Sequence, residues 1–296
     1  MSITEESFRE IREELVQQGS MIAATEKRYM NFLEELTLKT ADRIRNDFNK
    51  ANTLRPFWIN YQPRQRGRSP IGNSIPWIEV AEKTVSSHII RSLTLANLIG
   101  LEYLGLPLGG DVRFATEDVF IHFDVKATGS NDNPNEIVAS PFQISGDGKS
   151  WRGDGFENLA VNVQRRGKDK DPMIFRPALP PFYVLEGRRL LCLTYFLKVN
   201  YIRDNAGEQI LEYLELVSVP NGLLMFDGPQ YHHNTKGLLI AGKDDKTVQD
   251  TNRRVRVRFE QLAGIGDWPR AMKIKWEDGN WYAQPHLAPP PKPNPD

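Results

Sequence analysis

Apolar and polar positions alternate most cleanly in Val119-Phe-Ile-His-Phe-Asp-Val-Lys126. Val119, Ile121, Phe123 and Val125 share one side by the period of two, which predicts a strand with Asp124 and Lys126 leaving together from its other face. Further strand-like runs stand at Phe182–Leu185, Leu190–Ile202 and Leu211–Val219. Helical spacing dominates earlier. A Ser2-x-x-Glu5 capping pattern opens a charged amphipathic helix to about Gln18. A second helix is predicted from about Thr25 to Lys50, with Tyr29, Phe32, Leu33, Leu36, Ile44 and Phe48 on its apolar stripe. Pro76 starts a third, from Trp77 to about Ile99 and closed by Gly100. Residues 134–172, rich in Gly, Asn, Asp and charge, read as loop or extension rather than core. The pattern divides into a helical region at 1–50, a single α/β domain at 51–285, and a disordered Pro-rich tail at 286–296.

Composition narrows the classes. The 296 residues carry 38 basic and 38 acidic side chains, so a protein that merely coats nucleic acid is disfavoured, while a locally basic cleft is not. Cys192 is the single cysteine and sits in the apolar run Leu190-Leu-Cys-Leu-Thr-Tyr-Phe, which reads as core. No basic-then-apolar leader and no membrane-spanning run is visible, and a cytoplasmic protein without membrane contact is expected.

Candidate chemistry collects near Asp124. Pro107-Leu-Gly-Gly-Asp111 brings a second carboxylate from a Gly-rich turn, and two carboxylates can bind a hard cation such as Mg²⁺. A neighbouring ammonium, Lys126, then suits phosphodiester cleavage. The same Asp-x-Lys spacing fits a surface ion pair on an edge strand. It also recurs at Asp147-Gly-Lys149 and Asp244-Asp-Lys246, in turn-like sequence that reads as solvated loop. Glu79 and Glu82 lie three apart on the third helix, hence on neighbouring surface. Arg55–Arg68 is a Pro-, aromatic- and Arg-rich loop that could lie on phosphates or simply be anchored by Phe57 and Trp58. His232 and His233, being adjacent, suit a turn better than a metal pair. In Arg253-Arg-Val-Arg-Val-Arg-Phe259, alternation places Val255, Val257 and Phe259 inward and Arg254, Arg256 and Arg258 outward. These three guanidinium groups, unpaired by alternating acids, suit an anion or a guanine edge; a solvated strand face is the other reading.

Several segments, in order and at near-equal spacing over about 51–260, resemble the BglI-type type II restriction endonucleases of the PD-(D/E)xK nuclease superfamily. They are Pro56-Phe-Trp-Ile-Asn-Tyr61, Ile75-Pro-Trp-Ile-Glu-Val-Ala-Glu-Lys83, Gly105–Asp111, Ser140-Pro-Phe-Gln-Ile-Ser-Gly-Asp147, Ile174–Leu185, Val217-Ser-Val-Pro-Asn-Gly-Leu223, Gly242–Thr247 and Arg254–Val257. The N-terminal helices and the tail do not match clearly. The resemblance implies an α/β nuclease fold, a mixed central sheet flanked by helices with a β-rich DNA-reading extension around 242–259. It implies a homodimer that cuts double-stranded DNA at an interrupted GC-rich palindrome with GCC half-sites. One or two Mg²⁺ ions per active site would serve the reaction, which leaves 5′-phosphate and 3′-hydroxyl ends. A cognate DNA methyltransferase is then expected as a genetic, not physical, partner. By matching motifs, Asp111 and Asp124 resemble the metal carboxylates with Val125 as a further ligand, Lys126 the catalytic lysine and Glu82 an auxiliary acid. Lys243, Asp245, Arg254 and Arg256 resemble the base-reading residues. The alternatives are another nuclease of this fold in repair or recombination, and a DNA-binding protein without catalysis. The latter would gain nothing from carboxylates aimed at phosphate.

Overall fold

Thr4, not Ser2, caps the first helix: its side chain accepts the Ser7 amide, and its own amide donates to the Ser7 hydroxyl. This computed structural model describes residues 3–58, 80–96, 98–104, 112–129, 132–166, 171–227, 237–242, 249 and 252–287. Helix α1 covers Glu5–Gln17 and α2 covers Gly19–Trp58. The predicted stripe of α2 is buried at Leu33, Leu36, Ile44 and Phe48. That helix continues past Lys50 through Pro56, and Phe57 stands 79% exposed instead of anchoring a loop. A π-helical turn, Val80–Thr84, leads into α3, Val85–Leu95. The predicted start at Trp77 lies outside the described residues. Gly100 follows in the left-handed region (φ +69°), where an added Cβ would come within 3.1 Å of the Glu117 amide.

The strands then follow in order: β1 (Glu102–Tyr103), β2 (Val112–Ala115), β3 (Val119–Thr128) and β4 (Glu136–Ala139). Two small hairpins pair β5 (Ser150–Arg152) with β6 (Gly155–Glu157), and β7 (Val161–Val163) with β8 (Met173–Phe175). After them come β9 (Phe182–Leu185), β10 (Arg188–Arg203), β11 (Gln209–Val219), β12 (Leu239–Ala241), β13 (Val255–Arg258), β14 (Ala271–Glu277) and β15 (Asn280–Pro285). The main sheet runs β1-β2-β3-β10-β11-β14-β15, with β9 added beside β10. Its mixed character comes from the parallel β3–β10 pair, the other pairings being antiparallel. A smaller antiparallel sheet, β12-β13-β4, joins segments far apart in sequence.

Each face of the main sheet is covered by something different. On one face, Tyr195 donates its hydroxyl to the Glu26 carbonyl of α2, and Phe48 of α2 packs on Tyr201, so α2 lies across that side. On the opposite face, the Lys198 ammonium lies over the Phe259 ring just after β13 and donates to the Pro134 carbonyl just before β4. The smaller sheet therefore flanks the face from which Asp124 and Lys126 project. Parallel strands screened on both sides read as continuous apolar runs, and Leu190–Val199 of β10 is buried throughout.

Three expectations are revised. Residues 134–172 contribute β4 to β7 and bury Ile137, Ile144, Val163 and Asn158, because their polar groups are satisfied internally: Asn158 alone bonds Gly148, Pro177 and Leu179. Asp147 is buried there, accepting from the Leu159 amide, rather than solvated. A boundary after residue 50 would cut α2, and the buried Phe8, Leu15, Ile22 and Leu33 share one hydrophobic cluster with the strands. The second turn pattern, Asp244-Asp-Lys246, lies outside the described residues, as do His232 and His233. Among the described residues no helix is long and apolar enough to cross a membrane.

Candidate active site

Asp124 and Lys126 leave β3 on one face, as the alternation predicts. Lys126 Nζ stands 2.5 Å from Asp124 Oδ2. Their strand is interior, between β2 and β10, so an edge-strand surface pair is excluded by position. The carboxylate is deep, its side chain 8% exposed, while Lys126 at 31% reaches outward. Such a gradient holds an anionic donor in low dielectric, where its charge counts most, and leaves the cation accessible. In the parallel ladder Asp124 pairs with Phe196 and Lys126 with Lys198, putting a second lysine on the same face.

Lys126 opens onto a cleft of about 440 Å³ also lined by Glu82, Glu136, Lys198, Arg254 and Arg256. Glu82 arrives from the π-helical turn, half-buried, with the Ser86 hydroxyl donating to its carbonyl. Four of the six sequence-predicted residues that fall among those described thus share one cleft: Glu82, Lys126, Arg254 and Arg256. Asp124 joins them through its ion pair. Val125 buries its side chain in the core, so only its main-chain carbonyl oxygen could serve a metal. Asp111, Lys243 and Asp245 lie outside the described residues. Val112, next to Asp111, pairs with Phe123 in the β2–β3 ladder.

The arginine strand departs from its expected exposure. Val255, Val257 and Phe259 are buried as predicted and Arg254 is exposed, but Arg256 is buried too. Its charge is matched by Glu136 on β4, whose other carboxylate oxygen takes Arg166, and Arg258 pairs with Glu260 at 2.7 Å. The acid for Arg256, which local alternation failed to reveal, is supplied by a neighbouring strand 120 residues away. Beneath the cleft, Lys198 faces Glu215 at 3.2 Å, and Glu215 also holds His286. Burial pushes the Lys198 pKa down, opposed by the Glu215 charge. Glu136 carried no sequence signal, sitting in a stretch that reads as loop. Lys198 did: one lysine inside a long apolar strand needs a buried partner.

Among the described residues no three or more His, Cys, Asp or Glu side chains cluster as a metal site. The donor chemistry at hand still suits a hard divalent ion: a recessed carboxylate on an interior strand, an adjacent carbonyl, and a cleft large enough for a phosphate.

The "Restriction endonuclease BglI" family model matches residues 4–274, so the N-terminal helices, expected to fall outside the resemblance, are part of it. The type II restriction enzyme BglI of Bacillus subtilis is 35% identical over 266 residues, 83% of this chain and 87% of that protein. The crystal structure of BglI bound to its DNA recognition sequence superposes with a TM-score of 0.80 at 34% identity, covering 91% of this chain and 96% of that one. The tetrameric restriction endonuclease SfiI bound to cognate DNA superposes at 0.55 with 12% identity over the same shares, a likeness of fold alone.

Proposed function

Because the chain belongs to the BglI family of type II restriction endonucleases, we propose that it makes double-strand breaks at an interrupted, GC-rich palindrome with GCC half-sites, using Mg²⁺. Family membership itself implies a sequence-specific deoxyribonuclease that depends on a divalent metal. The observation that carries the finer reading is the recessed Asp124 paired with Lys126 at a cleft that also gathers Glu82, Arg254 and Arg256.

Asp111 and Asp124 would hold the metal, with the Val125 carbonyl as a further donor and Glu82 as an auxiliary acid. Bound there, the ion would polarise the scissile phosphate and lower the pKa of water. Lys126 has two tasks. Its ammonium compensates the Asp124 carboxylate before substrate arrives, and it neutralises the charge that builds on the phosphate during attack. Water oxygen bonds to phosphorus in line as the bond to the 3′ oxygen breaks. The attacking water gives up a proton to solvent and the leaving 3′ oxygen takes one up from it, giving 5′-phosphate and 3′-hydroxyl ends. Arg254 and Arg256, with Lys243 and Asp245, read base edges, since arginine matches the two acceptors of guanine and aspartate accepts from cytosine. One constellation per chain and two strands to cut call for two copies related by a two-fold axis.

Digestion of phage DNA with Mg²⁺, followed by sequencing of the ends, tests this reading. Discrete fragments with one repeated GC-rich, two-fold sequence at their ends are expected, and none when a chelator removes the metal. Random fragmentation, or cutting that ignores the chelator, would overturn it. Sedimentation with the cleaved site's duplex should give two chains per duplex.

A further inference from the structure

We infer that Glu136 is a specificity-determining positioning residue, whose buried carboxylate holds the Arg256 guanidinium in the orientation that reads a base edge. The inference rests on the proposed reading of Arg256 as a base-reading residue. Glu136 opens β4, and both of its oxygens are engaged: Oε1 accepts from Arg256 Nη1 and Oε2 from Arg166 Nη2. The ladder sets Glu136 opposite Arg258 and Val138 opposite Arg256, so Glu136 reaches diagonally to Arg256 while Arg258 turns to Glu260. Side-chain exposure falls from 56% at Arg166 to 8% at Arg256 and 4% at Glu136. The carboxylate is therefore buried against the arginine that lines the cleft.

Arginine presents five N–H donors in one rigid plane, and a guanine edge takes two of them. Fixing Nη1 fixes that plane and leaves other donors for a base in the cleft. A long side chain ordered in advance loses less rotamer freedom when DNA arrives. Glu136 also places a negative charge where phosphates must approach, which weakens binding to any duplex. A residue that opposes binding in general yet orients a reader serves discrimination rather than affinity.

The test is a double-mutant cycle on binding, with Ca²⁺ replacing Mg²⁺ to hold off cleavage. The probes are a duplex carrying the site mapped by digestion and a random duplex of equal length, at one salt concentration. Glu136→Gln keeps the shape but removes a negative charge from the cluster; Glu136→Gln with Arg166→Gln keeps the net charge unchanged and guards against misfolding from repulsion. Both should lower the cognate-to-random affinity ratio about tenfold. The single variant should also bind random DNA a few-fold more tightly, and the charge-balanced variant should not. In an Arg256→Ala background Glu136→Gln should leave the ratio unchanged. If the two substitutions instead act independently, or Glu136→Gln spares the ratio while Arg256→Ala lowers it, the positioning role is wrong and the base-reading assignment stands. If Arg256→Ala itself spares the ratio, both are wrong.

Discussion

Lys198 on β10 and Glu215 on β11 face each other directly across the antiparallel ladder, Nζ to Oε2 at 3.2 Å, with both side chains sealed from solvent. Desolvating two charges consumes much of what their attraction returns, so this pair is a poor source of net stability. Its geometry does more for the site, since the same ammonium donates to the Pro134 carbonyl and fixes the turn that leads into Glu136.

Lys198→Met should therefore cost about 3–5 kcal/mol, because Glu215 is left buried beside His286 without its lysine. Adding Glu215→Met should recover most of that loss. Urea unfolding at pH 7 measures both. The lowered Lys198 pKa fixes a sign as well. Between that lowered value and about 10.4, the unfolded chain binds more protons at this site than the folded one. The Lys198 contribution to stability therefore rises with pH through that window and is flat below it, where the lysine is protonated in both states, a component that Lys198→Met removes.

Asp124→Ala should slow Mg²⁺-dependent cutting at least about a thousandfold, equivalent to roughly 4 kcal/mol of barrier, while DNA binding survives or strengthens through lost repulsion. Lys126→Ala should also cut poorly. Single-turnover cleavage alongside gel-shift titration separates the two effects. Near wild-type cutting by both variants would place the active site elsewhere.

Gly222→Ala should prevent stable folding. A Cβ there would fall 1.9 Å from the Gly146 carbonyl oxygen, and the atoms it meets are main chain that cannot swing aside. Circular dichroism and soluble yield report the loss. Gly153→Ala offers a contrast: its Cβ meets nothing, so the only cost is the backbone strain of a side chain at its φ of +63°.

Removal of residues 1–50 should leave an insoluble chain, because it takes the Glu26 carboxylate from Arg270, its fully buried partner at 2.6 Å. A milder probe is Arg270→Met, expected to cost about 3–5 kcal/mol by chemical unfolding.

Alternation within β3 was enough to place Asp124 and Lys126 on one face, since strand geometry is local. The long apolar runs marked β9, β10 and β11 within a few residues for the same reason. Residues 134–172 misled because satisfaction of their polar groups is long-range: Asn158 looks like loop until Gly148, Pro177 and Leu179 surround it. Arg256 looked solvent-facing for a like reason, its acid lying 120 residues away. The Ser140–Asp147 and Val217–Leu223 segments, which carry family resemblance, meet each other at Gly146 and Gly222. Their constraint is close backbone packing rather than chemistry.

Joining β4 to β13 in one small sheet has a bearing on how new specificities arise. A recombination that imports the β12–β13 segment from a relative brings a new arginine pattern but keeps the host's β4. Unless residue 136 and its neighbours travel with it, the incoming guanidinium meets a carboxylate of the wrong length or none at all. On the proposed reading of Arg256 and Glu136, exchange of recognition between such enzymes is a two-segment inheritance, and single-segment chimeras should more often lose discrimination than redirect it.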